Sequence, residues 1–210
     1  MKKNCTEVVF VLDRSGSMCG LEKDTIGGFN SLINKQKKQD GEVLVSTVLF
    51  NDSSVVIHDR KPIDEVRLMT NKDYEVYGCT ALLDALGSSI RHIGNIHKYA
   101  RVEDVPEHTM FVIITDGMEN ASRYYSKERV KSMIEYEKEK YGGECLFLAA
   151  NMDAIDTASQ YGIDKDHAVN YQCDSVGTRL NYEVLDEAIQ CICSGVPLSK
   201  SWKSKIEKCK

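Results

Sequence analysis

The stretch VVFVLDRSGSM, Val8 to Met18, runs five apolar residues straight into an aspartate and then sets hydroxyls at alternate positions, Ser15 and Ser17. An uninterrupted run of Val, Phe and Leu reads as a strand covered on both faces, the pattern of a parallel sheet. In DRSGS, single-residue spacers let Asp13, Ser15 and Ser17 turn their oxygens to a common centre only if the backbone folds tightly, and Gly16 permits that turn. The segment alone admits two readings: a ligand loop at a strand end, or two side chains that cap the following helix.

Further strands are predicted at VLVSTVLF from Val43, VVIH from Val55, MFVII from Met110, CLFLAA from Cys145 and HAVNY from His167. Only NDSS separates the second from the third, so that pair is expected to be antiparallel, with the third strand at a sheet edge. Helical spacing puts Leu21, Thr25, Phe29, Leu32, Ile33 and Gln36 on one face, and Leu82, Leu83, Leu86, Ile90 and Ile93 on another. Ser126 is a candidate N-cap for a third helix, and further helices are expected over 154–161 and 182–193. Strands alternating with helices predict a doubly wound α/β domain.

In such a sheet, ligands bind outside the carboxyl ends of the strands where the strand order reverses. Asp13 ends the first strand and Asp116, in FVIITDG, ends the fourth. If the chain builds outward from both sides of the first strand, these two ends are neighbours. Thr80, in YGCTALLDAL, opens a helix shortly after Gly78. Asp13, Ser15, Ser17, Thr80 and Asp116 would then form a hard oxygen set, which favours magnesium, manganese or calcium over zinc or copper and leaves a coordination position for an external carboxylate.

The 210 residues are 42% hydrophobic, enough for one core. The net charge is -5, with 27 basic residues scattered among 32 acidic ones, so nothing points to nucleic acid or an anionic membrane surface. The run from Val8 to Leu12 is too short for a signal peptide or a membrane span, and a soluble cytoplasmic protein is expected. Eight cysteines without a CxxC pair read as free thiols rather than a disulfide framework or zinc site.

VFVLDRSGSM, GCTALLDAL and VIITDGMEN, in this order, resemble the three loops of a von Willebrand factor type A domain, across roughly residues 5 to 193. That family carries a metal-ion-dependent adhesion site of the pattern DxSxS, then a threonine, then an aspartate. The resemblance implies a Rossmann-like sheet of about six strands in the order 3-2-1-4-5-6, with strand 3 an antiparallel edge. It implies a single domain over 1–193 followed by a short basic tail over 194–210, of the bacterial stand-alone intracellular kind. It assigns Asp13, Ser15 and Ser17 to the first loop, Thr80 to the second and Asp116 to the third. The hydroxyls would approach the ion directly and the aspartates often through water. A protein partner presenting Asp or Glu would complete the shell.

Arg14, Met18, Cys19, Cys79, Met118 and Glu119 are expected to rim the ion, with Arg14 a solvated loop residue and Glu119 and Asn120 organising the turn toward Ser126. A rival is a magnesium-dependent phosphohydrolase of haloacid dehalogenase type, whose DxDxT motif needs a carboxylate where Ser15 stands. A third reading is a scaffold that keeps the motif without using it. No GxSxG, P-loop or HExxH motif occurs, and His58, His92, His97, His108 and His167 lie away from the site motifs, so catalysis is not expected.

Overall fold

The computed structural model describes residues 1–209. Six strands, β1 (Lys2–Asp13), β2 (Glu42–Phe50), β3 (Ser54–Pro62), β4 (Pro106–Thr115), β5 (Glu144–Ala149) and β6 (Ala168–Asn170), form one sheet in the order β3-β2-β1-β4-β5-β6. β2 and β3 pair antiparallel and every other pair is parallel. The fold class, strand order and antiparallel edge are those expected from the sequence.

Because side chains alternate across a strand, β1 feeds two cores. Val8, Phe10 and Leu12 pack with α1 (Glu22–Gln36) and α5 (Ser175–Cys193) through Phe29, Leu32, Tyr182 and Leu185. Val9 and Val11 pack on the other face with α2 (Leu82–Tyr99), α3 (Lys127–Tyr141) and α4 (Ala154–Gln160) through Leu86, Ile90, Val130 and Ala158. Gly27 and Gly28 lie inside α1, where close packing on the sheet is the ordinary reason for glycine. Gly28 does allow a close approach, but the neighbour is the Tyr182 ring of α5, and Gly27 has nothing against it.

Three boundaries differ from the sequence reading. β1 starts at Lys2 rather than Val8, because Thr6 and Glu7 are buried polar residues within the strand. α5 starts at Ser175, well before Tyr182, with Asp174 as its N-cap accepting from the Gly177 amide at 2.7 Å. The segment after 193 is not a free tail. Trp202 and Ile206 are buried in the core, and α6 (Ser204–Glu207) follows a short turn. Lys203 Nζ donates to the carbonyls of Lys165 and Ala168 at 2.9 and 2.8 Å, which ties this segment to the start of β6. No helix among the described residues is long and apolar enough to cross a membrane.

Candidate functional site

The strand order grows outward from β1 through β2 on one side and β4 on the other, so the order reverses between β1 and β4. Asp13, the last residue of β1, therefore lies beside Thr115, the last of β4, and Asp116 follows directly. The Thr115 hydroxyl donates to Asp13 Oδ2 at 2.6 Å, and the Ser15 amide donates to Asp13 Oδ1 at 2.7 Å. The Tyr74 hydroxyl donates to the Asp13 carbonyl. Asp13 is thus held on both carboxylate oxygens and on its backbone.

The hydroxyls form a chain. Thr80 Oγ1 lies 3.0 Å from Ser15 Oγ, which lies 3.1 Å from Ser17 Oγ, and Ser17 Oγ donates to Asp116 Oδ1 at 2.5 Å. The five residues named from the sequence are therefore brought together at one strand end. Four of them are buried, and Ser17 is exposed to solvent.

Backbone contacts hold the loops in place. The Gly16 amide donates to the Gly78 carbonyl at 3.0 Å, and the Tyr77 amide to the Arg14 carbonyl at 3.1 Å, joining the first loop to the second. Asn120 Oδ1 accepts from the Thr80 amide at 2.9 Å, and the Asn120 amide returns a bond to the Thr80 carbonyl at 3.0 Å. Glu119 accepts from the amides of Leu83, Ala121 and Ser122, so it ties the third loop to the start of α2 rather than to the turn near Ser126. The carboxylate is well placed there, because the first turn of a helix has free amides and a positive dipole end.

Every side-chain hydrogen bond to Asp13 and Asp116 comes from a neutral group. Burial raises the Asp13 carboxyl above its ordinary range, with the bonds from Thr115 and Ser15 opposing this and the neighbouring Asp116 adding to it. No cluster of three or more His, Cys, Asp or Glu able to hold a metal occurs among the described residues, so any ion here must lean on hydroxyls. The space suits one: a β-carbon built on Gly117 would lie 2.6 Å from Thr80 Oγ1, 3.1 Å from Ser17 Oγ and 3.5 Å from Ser15 Oγ. Three hydroxyls converge on a point that only glycine leaves free. These are hard oxygen donors, and they fit magnesium, manganese or calcium.

The rim differs from expectation at two places. Arg14 is buried, not solvated, and its guanidinium lies 5.5 Å from the centre of the Tyr77 ring. Met18 is buried in the core. Thr80, just before α2, is only 3% exposed. Cys19, Cys79 and Met118 are exposed as expected.

Sequence reasoning missed several supporting residues. Thr115 stands directly before Asp116 in the TDG motif and could have been read as a second hydroxyl at that strand end. Cys173 Sγ contacts Asp116 Oδ2 at 3.3 Å, and its thiol is raised to about 11, first by burial and then by that carboxylate. Asn151 Nδ2 reaches the Asp116 carbonyl at 3.4 Å. Neither Cys173, Asn151 nor Tyr74 carries a local signal, because each arrives from a distant segment.

No protein-family model and no curated protein matches the chain. Its fold is similar to that of the von Willebrand factor domain of the type V pili tip protein Mfa5 from Porphyromonas gingivalis, with TM-score 0.61, 10% identity, and coverage of 92% of this chain and 97% of that one. It is also similar to the ArnB paralog VWA2 from Sulfolobus acidocaldarius, at TM-score 0.56 and 17% identity over 88% of this chain. A von Willebrand factor type A protein from Catenulispora acidiphila gives TM-score 0.54 and 13% identity over 88% of this chain. The chain spans 45% of the Sulfolobus protein and 42% of the Catenulispora protein. The fold is that of a von Willebrand factor type A domain.

Proposed function

We propose that this chain, with its von Willebrand factor type A fold, is a divalent-metal-dependent protein-interaction domain whose ligand is an acidic side chain of a partner. The observation that carries this reading is the meeting of three hydroxyls from two loops with two buried aspartates that have no cationic partner among the described residues. In this reading Ser15, Ser17 and Thr80, with Asp13 and Asp116, hold a magnesium, manganese or calcium ion. When bound, the ion supplies positive charge and an open position for a carboxylate. Asp13 and Asp116 offset a divalent charge without exceeding it, so a partner Asp or Glu enters without net repulsion and gains a charge-assisted bond. Asp13, fixed on three sides, sets the position of the first loop. Ser17, the exposed member, marks the side from which the partner approaches.

Binding rather than catalysis is proposed. The phosphohydrolase alternative requires an acid/base carboxylate two residues after Asp13, and Ser15 stands there. No observation favours it. We read the compartment as cytoplasmic, supported by eight cysteines that are all free, and the partner as a protein rather than nucleic acid or membrane.

The test is capture of partners from a lysate on immobilised chain, with magnesium and with chelator, for wild type and Thr80→Ala. The reading expects a partner retained only by wild type with metal. Thr80→Ala also loses the hydrogen bond to Ser15 and should cost about 1 kcal/mol of stability, too little to unfold the chain. Capture that survives both chelator and the variant would put the interaction surface elsewhere and support the unused-motif scaffold.

A further inference from the structure

Arg14 stands between Asp13 and Ser15 in the first loop, and its Nε is buried without a hydrogen-bond partner. Lys203, the other buried lysine or arginine among the described residues, donates to two carbonyls. What Arg14 has instead is the Tyr77 ring, over which its guanidinium lies. A cation gains most from a ring face where water is excluded, so a buried arginine holds this ring more firmly than an exposed one would. Tyr77 itself is 52% exposed. A solvent-facing ring fixed by a buried cation is a preorganised contact surface, because it loses little freedom when a partner covers it.

The ring stands on one side of the hydroxyl cluster and an exposed methionine on the other. Tyr77 is tied to the first loop by its amide and to the end of β2, where Asn51 Nδ2 donates to its carbonyl at 3.1 Å. Met118, 68% exposed, follows Gly117 beyond the end of β4. β1, which ends in Asp13, lies between β2 and β4. Two strand spacings, about 10 Å, separate those outer strands. A single exposed apolar residue is ordinary on a protein surface, but here two flank the point that the proposed function gives to a carboxylate.

In an extended segment, side chains two residues apart share a face, and those two places before and after a central acid are about 13 Å apart. With the segment laid across the strand ends, that separation brings them over Tyr77 and Met118 while the acid points at the hydroxyls. Side chains directly beside the acid point away. Aliphatic carbon set against a ring and a flexible thioether leaves water on both sides of the contact. We propose that, given the metal-bound carboxylate of the proposed function on which this rests, the site selects an acidic residue in an extended segment with an apolar side chain two places to each side, contacted by Tyr77 and Met118.

Four end-blocked heptapeptides are the probes: a glycine chain with a central Asp, the same chain with Leu two places to each side, the same with Leu in the adjacent places, and the second with Asn for Asp. Each is titrated with the full chain by peptide-detected NMR, in magnesium and in chelator, and magnesium binding to the chain is measured separately by calorimetry. In magnesium, Leu at the second places should tighten binding at least about tenfold over the glycine chain, and more than Leu in the adjacent places does. Tyr77→Ser should remove most of that margin and Met118→Ser part of it, with magnesium affinity unchanged in both. A margin that is absent, as large in Tyr77→Ser, or as large for the adjacent leucines would overturn the proposal and leave the metal reading standing. So would a chain that binds magnesium and none of the peptides. No magnesium binding, an Asn peptide held as tightly as its Asp counterpart, or peptide binding that survives chelator would refute the metal reading and the proposal with it.

Discussion

Glu7 and Asp13 lie on the same strand, both buried, and their surroundings are opposite. Glu7 Oε1 accepts from Arg60 Nε at 2.5 Å and Oε2 lies 2.7 Å from His97 Nε2, so the protein supplies its own basic partners. Asp13 has only a serine amide and a threonine hydroxyl on its carboxylate, and a second aspartate nearby. A buried charge is costly unless something neutralises it. At Glu7 the neutralising groups are part of the fold, and the carboxylate fastens β1 to β3 and α2. At Asp13 the described residues supply no such group, and in the proposed function that role falls to a bound cation.

Substitutions test this contrast between the two carboxylates, with urea unfolding in chelator as the common scale. Arg60→Ala strands a fully buried carboxylate with only His97, and should cost about 3 kcal/mol. A loss under about 1 kcal/mol would mean that the pair does not hold Glu7. Thr115→Val removes the donor to Asp13 Oδ2 at unchanged size and should cost about 1–2 kcal/mol. Cys173→Ala removes only a weak thiol contact to Asp116, and should cost less than about 1 kcal/mol. Asp13→Asn separates the two carboxylates most cleanly. It removes one of two neighbouring buried charges while an amide oxygen still accepts from Ser15 and the Thr115 hydroxyl can turn to accept. Stability should stay within about 0.5 kcal/mol of wild type. A loss as large as that of Arg60→Ala would make Asp13 a structural residue like Glu7.

The two regions were unequally legible in the sequence. Asp13, Ser15 and Ser17 could be read because they sit together at the end of an apolar run, the switch-point rule brought Asp116 to them, and Thr80 was added as a residue that opens a helix and matches the family's second loop. The same runs and the short NDSS turn showed the strands and the antiparallel edge, while the full strand order was what the family resemblance implied. Glu7 was invisible, because a charged residue next to an apolar run reads as the strand's boundary, and its partners Arg60 and His97 come from other elements. The start of α5 was missed because Gly177, Thr178 and Asn181 carry no apolar period, although all three are buried. Arg14 was misread for the converse reason: a charged loop residue is exposed by default, whereas this one is buried with its guanidinium beside the Tyr77 ring of the second loop.

In the proposed function the hydroxyl cluster holds a divalent ion together with Asp13 and Asp116, which have no cationic partner among the described residues. Calorimetric titration of manganese and magnesium into chain freed of metal, for wild type and Asp13→Asn, decides this. Wild type should show one binding site and Asp13→Asn at least about a tenfold loss of affinity, with both proteins equally folded. No binding by wild type, or the same affinity in the variant, would refute the assignment of the ion to this site.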